Sequence, residues 1–558
     1  MTQQSIIKKF KEQADQFPQK KAYIFLEEGE EKNISFKELD QKAEAMAAQL
    51  QGMSIAEPIV ICLPPGIDFK ISLLACLYAG IVIVPLCPPN PDETKAFTVG
   101  PVFDDTQAKV MLTAKSMKPY LSNVLKDEPY FQGLQIISKE DLPPVEANAW
   151  QEPKITEETV AFCSYTSGTT GQPKGVIITH GNFLTSIQDI SLDLAVDANH
   201  VLCTLFNHYH IITALWEMVF NLKGGQTVYL PLQSVLDKPI RLLRTLSDYK
   251  VNILMGVNLT LDLCVNKIQD DNLHDIDLSN LTLLVGGDKV KTELLEQFIA
   301  KYKASGFQRE SVQSRYGQAE GFGFTSSVKG EYPRIESISQ QLLTLNKIEP
   351  SQDRDDQIDL VTSGKPLKSV TIKIVDPNTL QICPSEEIGE VWVKGKAIGK
   401  GYWNRVRETE QTFNFYLQET QEGPFLRTGD MGYLNKHGEL FLTGRLKEML
   451  TIKKRHYYPE QIEKTVRNAH KMLQSITCAA FPLKINLENQ LVIAAEFETV
   501  PKGEHLKLII AAIQKNIRQC HELEVYDIVI LKQNMIPRTK TGKIKRNQCH
   551  TMLKLGFK

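Results

Sequence analysis

A chain of 558 residues is too long for one hydrophobic core, and at roughly 100–200 residues per domain it holds several units. Apolar residues at 42 % and charged residues at 23 % are ordinary for a globular protein, and 64 basic against 66 acidic residues give no bulk charge that would call for a nucleic-acid or membrane partner. Ten cysteines without a CxxC pair or repeating spacing exclude a zinc or disulfide framework and suit reduced thiols in a cytoplasmic protein.

The opening segment places Ile6, Ile7, Phe10, Ala14 and Phe17 on one helical face and lacks the apolar core and cleavage site of a signal peptide. Ser35 and Glu38 form a capping box for a helix over 35–50, in which Phe36, Leu39, Ala43, Met46 and Leu50 recur at helical spacing. Strand-like runs at 58–64, 81–86 and 108–113 alternate with helical stretches, which predicts α/β layers with largely parallel sheets. The longest apolar run, 71–87, is interrupted by Gly80 and Pro85 and falls short of the ~20 residues that span a bilayer. It reads as a buried helix, a glycine stop and a buried strand, so no integral membrane segment is expected.

The apolar strand "VAFCS" precedes Tyr165, and a helix is expected near Asn182. Further buried strands are expected at 251–257 and 281–287. From about residue 365 the texture changes to turn-separated β segments. After Arg445 it becomes a helix–strand–strand–helix–strand series, at 458–470, 475–482, 490–497, 505–523 and 526–532. These shifts predict a layered α/β domain with a β-rich part over 1–445 and a small α+β domain over 446–558.

Between that strand and that helix lies "YTSGTTGQPKGV", residues 165–176. The carboxyl end of a buried strand is where α/β sheets bind ligands. Glycines 168, 171 and 175 let backbone N–H groups approach an anion, and Ser167, Thr169 and Thr170 add hydroxyl donors. By itself such a loop suits a plain turn as well as a phosphate site. The Walker pattern fails because Lys174 precedes Gly175 rather than a serine or threonine, which argues against a P-loop NTPase.

The loop resembles the phosphate loop of the adenylate-forming superfamily, which includes acyl-CoA synthetases, fatty acyl-AMP ligases and nonribosomal adenylation domains. Further matches follow in that family's order: "VGGDKV" (285–290), "RYGQAEG" (315–321), "GEVWVKG" (389–395), "GYW" (401–403), "RTGDMG" (427–432), "TGRLKEML" (443–450) and "IPRTKTGKIKR" (536–546). The resemblance implies a large N-terminal domain, a small C-terminal domain rotating about a hinge, and carboxylate activation by ATP with Mg2+. Carboxylate attack on an α-phosphorus brings two anions together, so cations and in-line positioning are required.

By the same resemblance Thr166, Ser167, Gly168, Thr169, Thr170 and Lys174 hold phosphate, with Thr169 counted among the catalytic groups. Glu320 organises the magnesium ion. Tyr316 and Gly317 face the adenine, with Gly286, Gly287 and Asp288 as its wall. Asp430 accepts the ribose hydroxyls with Arg445 as companion, a role that needs an acceptor-only group. Lys447 falls on the hinge, where a boundary lysine is otherwise merely solvated. Lys543 falls on the catalytic lysine that enters the site during adenylation.

The family's amino-acid adenylation domains pair the substrate ammonium with an aspartate, because a buried ammonium needs a counter-charge, and residues 203–218 contain no aspartate. Phe206, Tyr209, Ile211, Ile212 and Trp216 suit an apolar acyl chain instead, with His208 and Ala319 also assigned to the pocket. The family's His-Asp pair is altered, since Tyr209 follows His208 and Ile211 follows His210. His208 is therefore compatible with either a pocket gate or a structural histidine.

The polar stretch 326–364 resembles the insertion of fatty acyl-AMP ligases, which anchors the C-terminal domain and disfavours transfer to CoA, although a tolerated loop would read the same way. Lys454 stands where CoA-using relatives carry glycine, and "RHYYP" (455–459) is similar to a run in acyl-AMP ligases. The implied reaction is formation of acyl-AMP from a fatty acid, then transfer to the phosphopantetheine thiol of an acyl carrier protein. An acyl-CoA synthetase is the alternative within this chemistry, and a non-catalytic nucleotide-binding scaffold is the alternative outside it.

Overall fold

Hydrophobic strands alternating with amphipathic helices are satisfied by largely parallel sheets covered with helices, and the chain builds two such mixed sheets. The computed structural model describes residues 5–27, 29–89, 99–126, 129–146, 149–166, 173–269, 273–287, 289–353, 356–453, 455–485, 488–538 and 544–554. A six-stranded sheet runs in the order Gln135–Ile137, Val110–Thr113, Ile59–Cys62, Ile83–Pro85, Val160–Thr166, Lys174–Thr179, parallel except for the last pair. A nine-stranded sheet runs Lys365–Pro366, Phe322–Ser326, Val312–Gln318, Thr282–Gly286, Ile253–Gly256, Val201–Thr204, Gln226–Tyr229, Lys21–Glu27, Glu30–Ser35. Ile59 and Ile61 of the first sheet and Leu202 and Tyr229 of the second belong to one continuous buried cluster.

Local signals account for several of these elements. Ser35 accepts a hydrogen bond from the Glu38 N–H and opens the helix Phe36–Gly52. The helix Ile67–Ala79 stops at Gly80, whose φ of 73° is left-handed and suits glycine, and the strand Ile83–Pro85 follows. One expectation changes after Thr166. The chain does not pass directly to a helix but returns as the antiparallel strand Lys174–Thr179, before the helix His180–Leu194 begins. Val176 and Ile178 on that return strand are fully buried, which is what makes it a strand rather than part of a surface loop.

The β-rich part is a four-stranded antiparallel sheet of Val370–Val375, Gly389–Gly395, Leu426–Leu434 and Leu440–Arg445. Beyond it, Pro459–Asn468, Cys478–Ile485, Glu488–Phe497, Glu504–His521 and Val525–Lys532 appear in the expected order, with a further helix at Arg546–Lys554. Ile462, Ile493, Ile509, Ile513 and Ile517 form their own core. Within 326–364, the strands Ile335–Ser339 and Gln357–Val361 pair around a short helix, Gln340–Leu343. This hairpin touches the C-terminal elements: Gln340 Nε2 donates to the Cys520 carbonyl at 3.2 Å, and the His456 N–H donates to the Thr344 carbonyl at 2.9 Å. Among the described residues no helix is long and apolar enough to cross a membrane.

Burial pushes His180 and His521 down to about 4 from an ordinary 6.5, and burial together with the Lys70 ammonium does the same to His208. Between those values the unfolded chain binds protons that the folded chain refuses, so these groups remove stability as the pH falls. The midpoint of urea unfolding should therefore decline between about pH 6.5 and pH 4. A constant midpoint across that window would show that the three histidines titrate normally in the folded protein.

Candidate active site

Val201–Thr204, Ile253–Gly256, Thr282–Gly286 and Val312–Gln318 are parallel neighbours, so the segments after them, including 205–210 and 319–321, share one edge of the sheet. Glycines allow close approach there. A Cβ on Gly317 would lie 1.6 Å from the Phe322 carbonyl oxygen, and one on Gly286 would lie 2.4 Å from that of Arg315.

Asp430 is the polar centre of this edge. It is paired across the β-rich sheet with Arg445 and is only 6 % exposed. Its Oδ2 accepts from the Tyr316 hydroxyl at 2.7 Å and from Gln318 Nε2 at 2.6 Å, and Arg445 Nε lies 2.9 Å from Oδ1. Gln318 Nε2 also reaches the Thr428 carbonyl at 3.1 Å. Burial, and then the Asp430 carboxylate, push the Tyr316 phenol well above its ordinary pKa, so its hydroxyl remains a donor. The Tyr316 ring packs edge-on against Phe324.

Glu320 ties this centre to the hairpin of Val160–Thr166 and Lys174–Thr179. Its Oε1 accepts from the Tyr402 hydroxyl at 2.9 Å, and its carbonyl accepts from the Gly399 N–H at 2.8 Å. The segment 399–403 also binds the strand Lys174–Thr179, through Ile177 N–H to the Gly401 carbonyl at 2.9 Å and Trp403 N–H to the Gly175 carbonyl at 2.7 Å. Lys174 Nζ sits 4.9 Å from the Tyr402 ring centre, so this tyrosine lies between Lys174 and the Glu320 carboxylate. Thr166 ends its strand opposite Lys174. Ser167, Gly168, Thr169, Thr170, Gly171, Asp288, Lys454 and Lys543 lie outside the described residues.

Among the residues assigned to an acyl chain, Trp216 is 7 % exposed, and Ile212 and Ala319 are partly buried against the main core. Phe206 is half-buried in the segment that precedes the helix Ile211–Asn221. The Arg315 guanidinium lies 5.3 Å from the Trp216 ring centre and pairs with Asp193. His208 is enclosed, with the rings of Phe25, Phe69 and Tyr229 around it. Lys447 is exposed in a turn after Arg445. Gln318 and Tyr402 have no assigned role in the sequence reading. Their positions inside "RYGQAEG" and "GYW" are the only signals that could have marked them.

The AMP-binding enzyme family model matches residues 10–403, and a model described as the Disco-interacting protein 2-like AMP domain matches residues 447–554. The medium-chain-fatty-acid–[acyl-carrier-protein] ligase JamA of Moorena producens (strain JHB) is 34 % identical over 95 % of this chain and 92 % of its own. The 4-hydroxyphenylalkanoate adenylyltransferase of Mycobacterium tuberculosis is 26 % identical over 98 % of this chain and 91 % of its own. In structure, the fatty acyl-adenylate ligase of L. pneumophila in complex with acyl adenylate and pyrophosphate has a TM-score of 0.74 at 28 % identity, covering 99 % of this chain and 96 % of that one.

Proposed function

This chain belongs to the AMP-binding enzyme family and groups with its fatty acyl-AMP ligases, and we propose that it activates a medium- to long-chain fatty acid with ATP and transfers the acyl group to a carrier-protein thiol. The observation that carries this reading is the convergence of Tyr316, Gln318 and Arg445 on Asp430, beside a Glu320 tied to the hairpin that bears Lys174.

Asp430 accepts the ribose hydroxyls in this reading. A carboxylate offers about four lone-pair sites, and three donors already use Asp430, so a diol must displace one of them. Gln318 is the group with somewhere to go, because the Thr428 carbonyl is already within its reach. Tyr316 and Gly317 face the base, and Gly286, Gly287 and Asp288 form its wall. The phosphates lie against Thr166, Ser167, Gly168, Thr169, Thr170 and Lys174.

Glu320 with phosphate oxygens suits Mg2+, which is usually held by one or two carboxylates and substrate phosphates and supplies positive charge at the leaving pyrophosphate. We assign 446–558 to the mobile domain, Lys447 to its hinge and Lys543 to the cation it delivers. A carboxylate oxygen of the fatty acid bonds to the α-phosphorus as the bond to pyrophosphate breaks. The phosphopantetheine thiol of an acyl carrier protein then displaces AMP from the acyl carbon. Phe206, Ile212, Trp216 and Ala319 provide apolar surface for the chain, and the contacts of Gln340 and Thr344 with the C-terminal elements support a carrier over CoA as acceptor. The cysteines are thiols and mostly buried, which suits a reducing, cytoplasmic setting.

Acyl-AMP formation across a panel of fatty acids, followed by a chase with holo carrier protein or free CoA, tests the proposal. The expected result is fatty-acid-dependent release of pyrophosphate and faster transfer to the carrier. Equal or faster transfer to CoA would make the protein an acyl-CoA synthetase, and no carboxylate-dependent ATP–pyrophosphate exchange would leave a nucleotide-binding scaffold.

A further inference from the structure

Three ionisable side chains meet away from Asp430 and Glu320, in the core that joins the two large sheets. Lys70 comes from the helix Ile67–Ala79, which links two strands of the six-stranded sheet, and Glu217 comes from the helix Ile211–Asn221 of the other layer. Their side chains are 2 % and 1 % exposed and are bonded to one another. His208 completes the cluster: its Nδ1 meets Lys70 Nζ and lies 2.9 Å from Glu217 Oε1. Burial and the Lys70 ammonium hold the imidazole neutral, against the pull of Glu217. Nδ1 faces both the ammonium and the carboxylate, and Nε2 has no hydrogen-bond partner among the described residues.

A buried ion pair is weak grounds for stability, because apolar residues of similar volume often serve as well. Its placement suggests a different role. His208 lies in the segment 205–210, which follows Val201–Thr204 and leads into the helix carrying Ile212 and Trp216, with His210 as that helix's N-cap. Its ring packs on Tyr229 and Phe25, whose strands flank Val201–Thr204 on one side, whereas Gly286 and Tyr316 belong to strands on the other. The segment is thus braced from behind by a lysine that arrives from the other sheet.

We propose that Lys70, Glu217 and His208 are positioning residues that hold the segment 205–210 and the head of the helix Ile211–Asn221 in register with the nucleotide side of the site, and so set the binding of the acyl chain. This rests on the reading that the chain lies against Ile212 and Trp216. No member of the cluster touches the reacting atoms. Each acts through the segment it holds, and a displacement there withdraws apolar surface from the acyl chain and weakens its binding.

The test is the double variant Lys70→Met/Glu217→Leu, which removes both charges together so that neither is left buried and unpaired. We expect its unfolding midpoint to stay near that of the wild type, the KM for fatty acid to rise about 10- to 100-fold, as for lost apolar contact in a pocket, and the KM for ATP to stay unchanged. An unchanged fatty-acid KM, or an equal rise in both KM values with a lower unfolding midpoint, would overturn the proposal. Should the double variant not fold, His208→Leu and His208→Gln decide the matter, since only glutamine keeps an acceptor for the ammonium. The leucine variant should show the raised fatty-acid KM and the glutamine variant should not, whereas identical behaviour would overturn the proposal. Wild-type protein without fatty-acid-dependent exchange would instead refute the proposed function.

Discussion

Replacing Lys543 with alanine is expected to lower fatty-acid-dependent ATP–pyrophosphate exchange about 100- to 1,000-fold, the loss typical when one preorganised donor is removed from a site of developing charge. The fatty acid approaches the α-phosphate as an anion approaching an anion, and in the proposed mechanism the lysine neutralises part of that charge only while adenylation proceeds. Transfer from supplied acyl-AMP to a carrier should therefore continue near the wild-type rate, because the phosphoryl step has been bypassed. Measuring the two half-reactions separately gives the answer. Equal loss in both would show that Lys543 acts on the fold or on a shared step, and normal exchange would remove it from the chemistry.

Substituting asparagine for Asp430 should raise the KM for ATP roughly 10- to 100-fold, from the ~1.5–3 kcal/mol associated with hydrogen bonds to a charged group. The change is nearly isosteric but reverses the chemistry of one atom. Tyr316, Gln318 and Arg445 all present donors to this side chain, and an amide offers them one oxygen and a competing N–H group. The Tyr316 hydroxyl is then the buried group most exposed to loss, at a cost of about 1–3 kcal/mol if left unsatisfied. A lower unfolding temperature should therefore accompany the kinetic change. Unaltered ATP kinetics in a destabilised protein would confine Asp430 to a structural role.

Both substitutions lie in motifs that are legible along the chain, but the relations between those motifs are not. The capping of Phe36–Gly52 by Ser35, the glycine stop at Gly80 and the element order after Arg445 each depend on residues a few positions apart, where periodicity and turn chemistry leave a direct trace. The return strand Lys174–Thr179 was missed because its pairing partner, Val160–Thr166, lies across a polar loop that masks the alternation. Tyr316 and Asp430 are 114 positions apart, Glu320 and Tyr402 are 82 apart, and Lys70 and Glu217 are 147 apart.

By itself the sequence determined the α/β alternation, the separate C-terminal series and the chemical types at the motif positions, because local hydrogen bonding and burial periodicity act over short spans. Only the tertiary structure decided which donors share Asp430, that Tyr402 joins Glu320 to the hairpin bearing Lys174, and that His208 is enclosed beside a buried lysine. Those pairings arise from how two sheets and a β-rich layer pack against one another. A side-chain contact across such a boundary imposes no spacing on the chain that forms it.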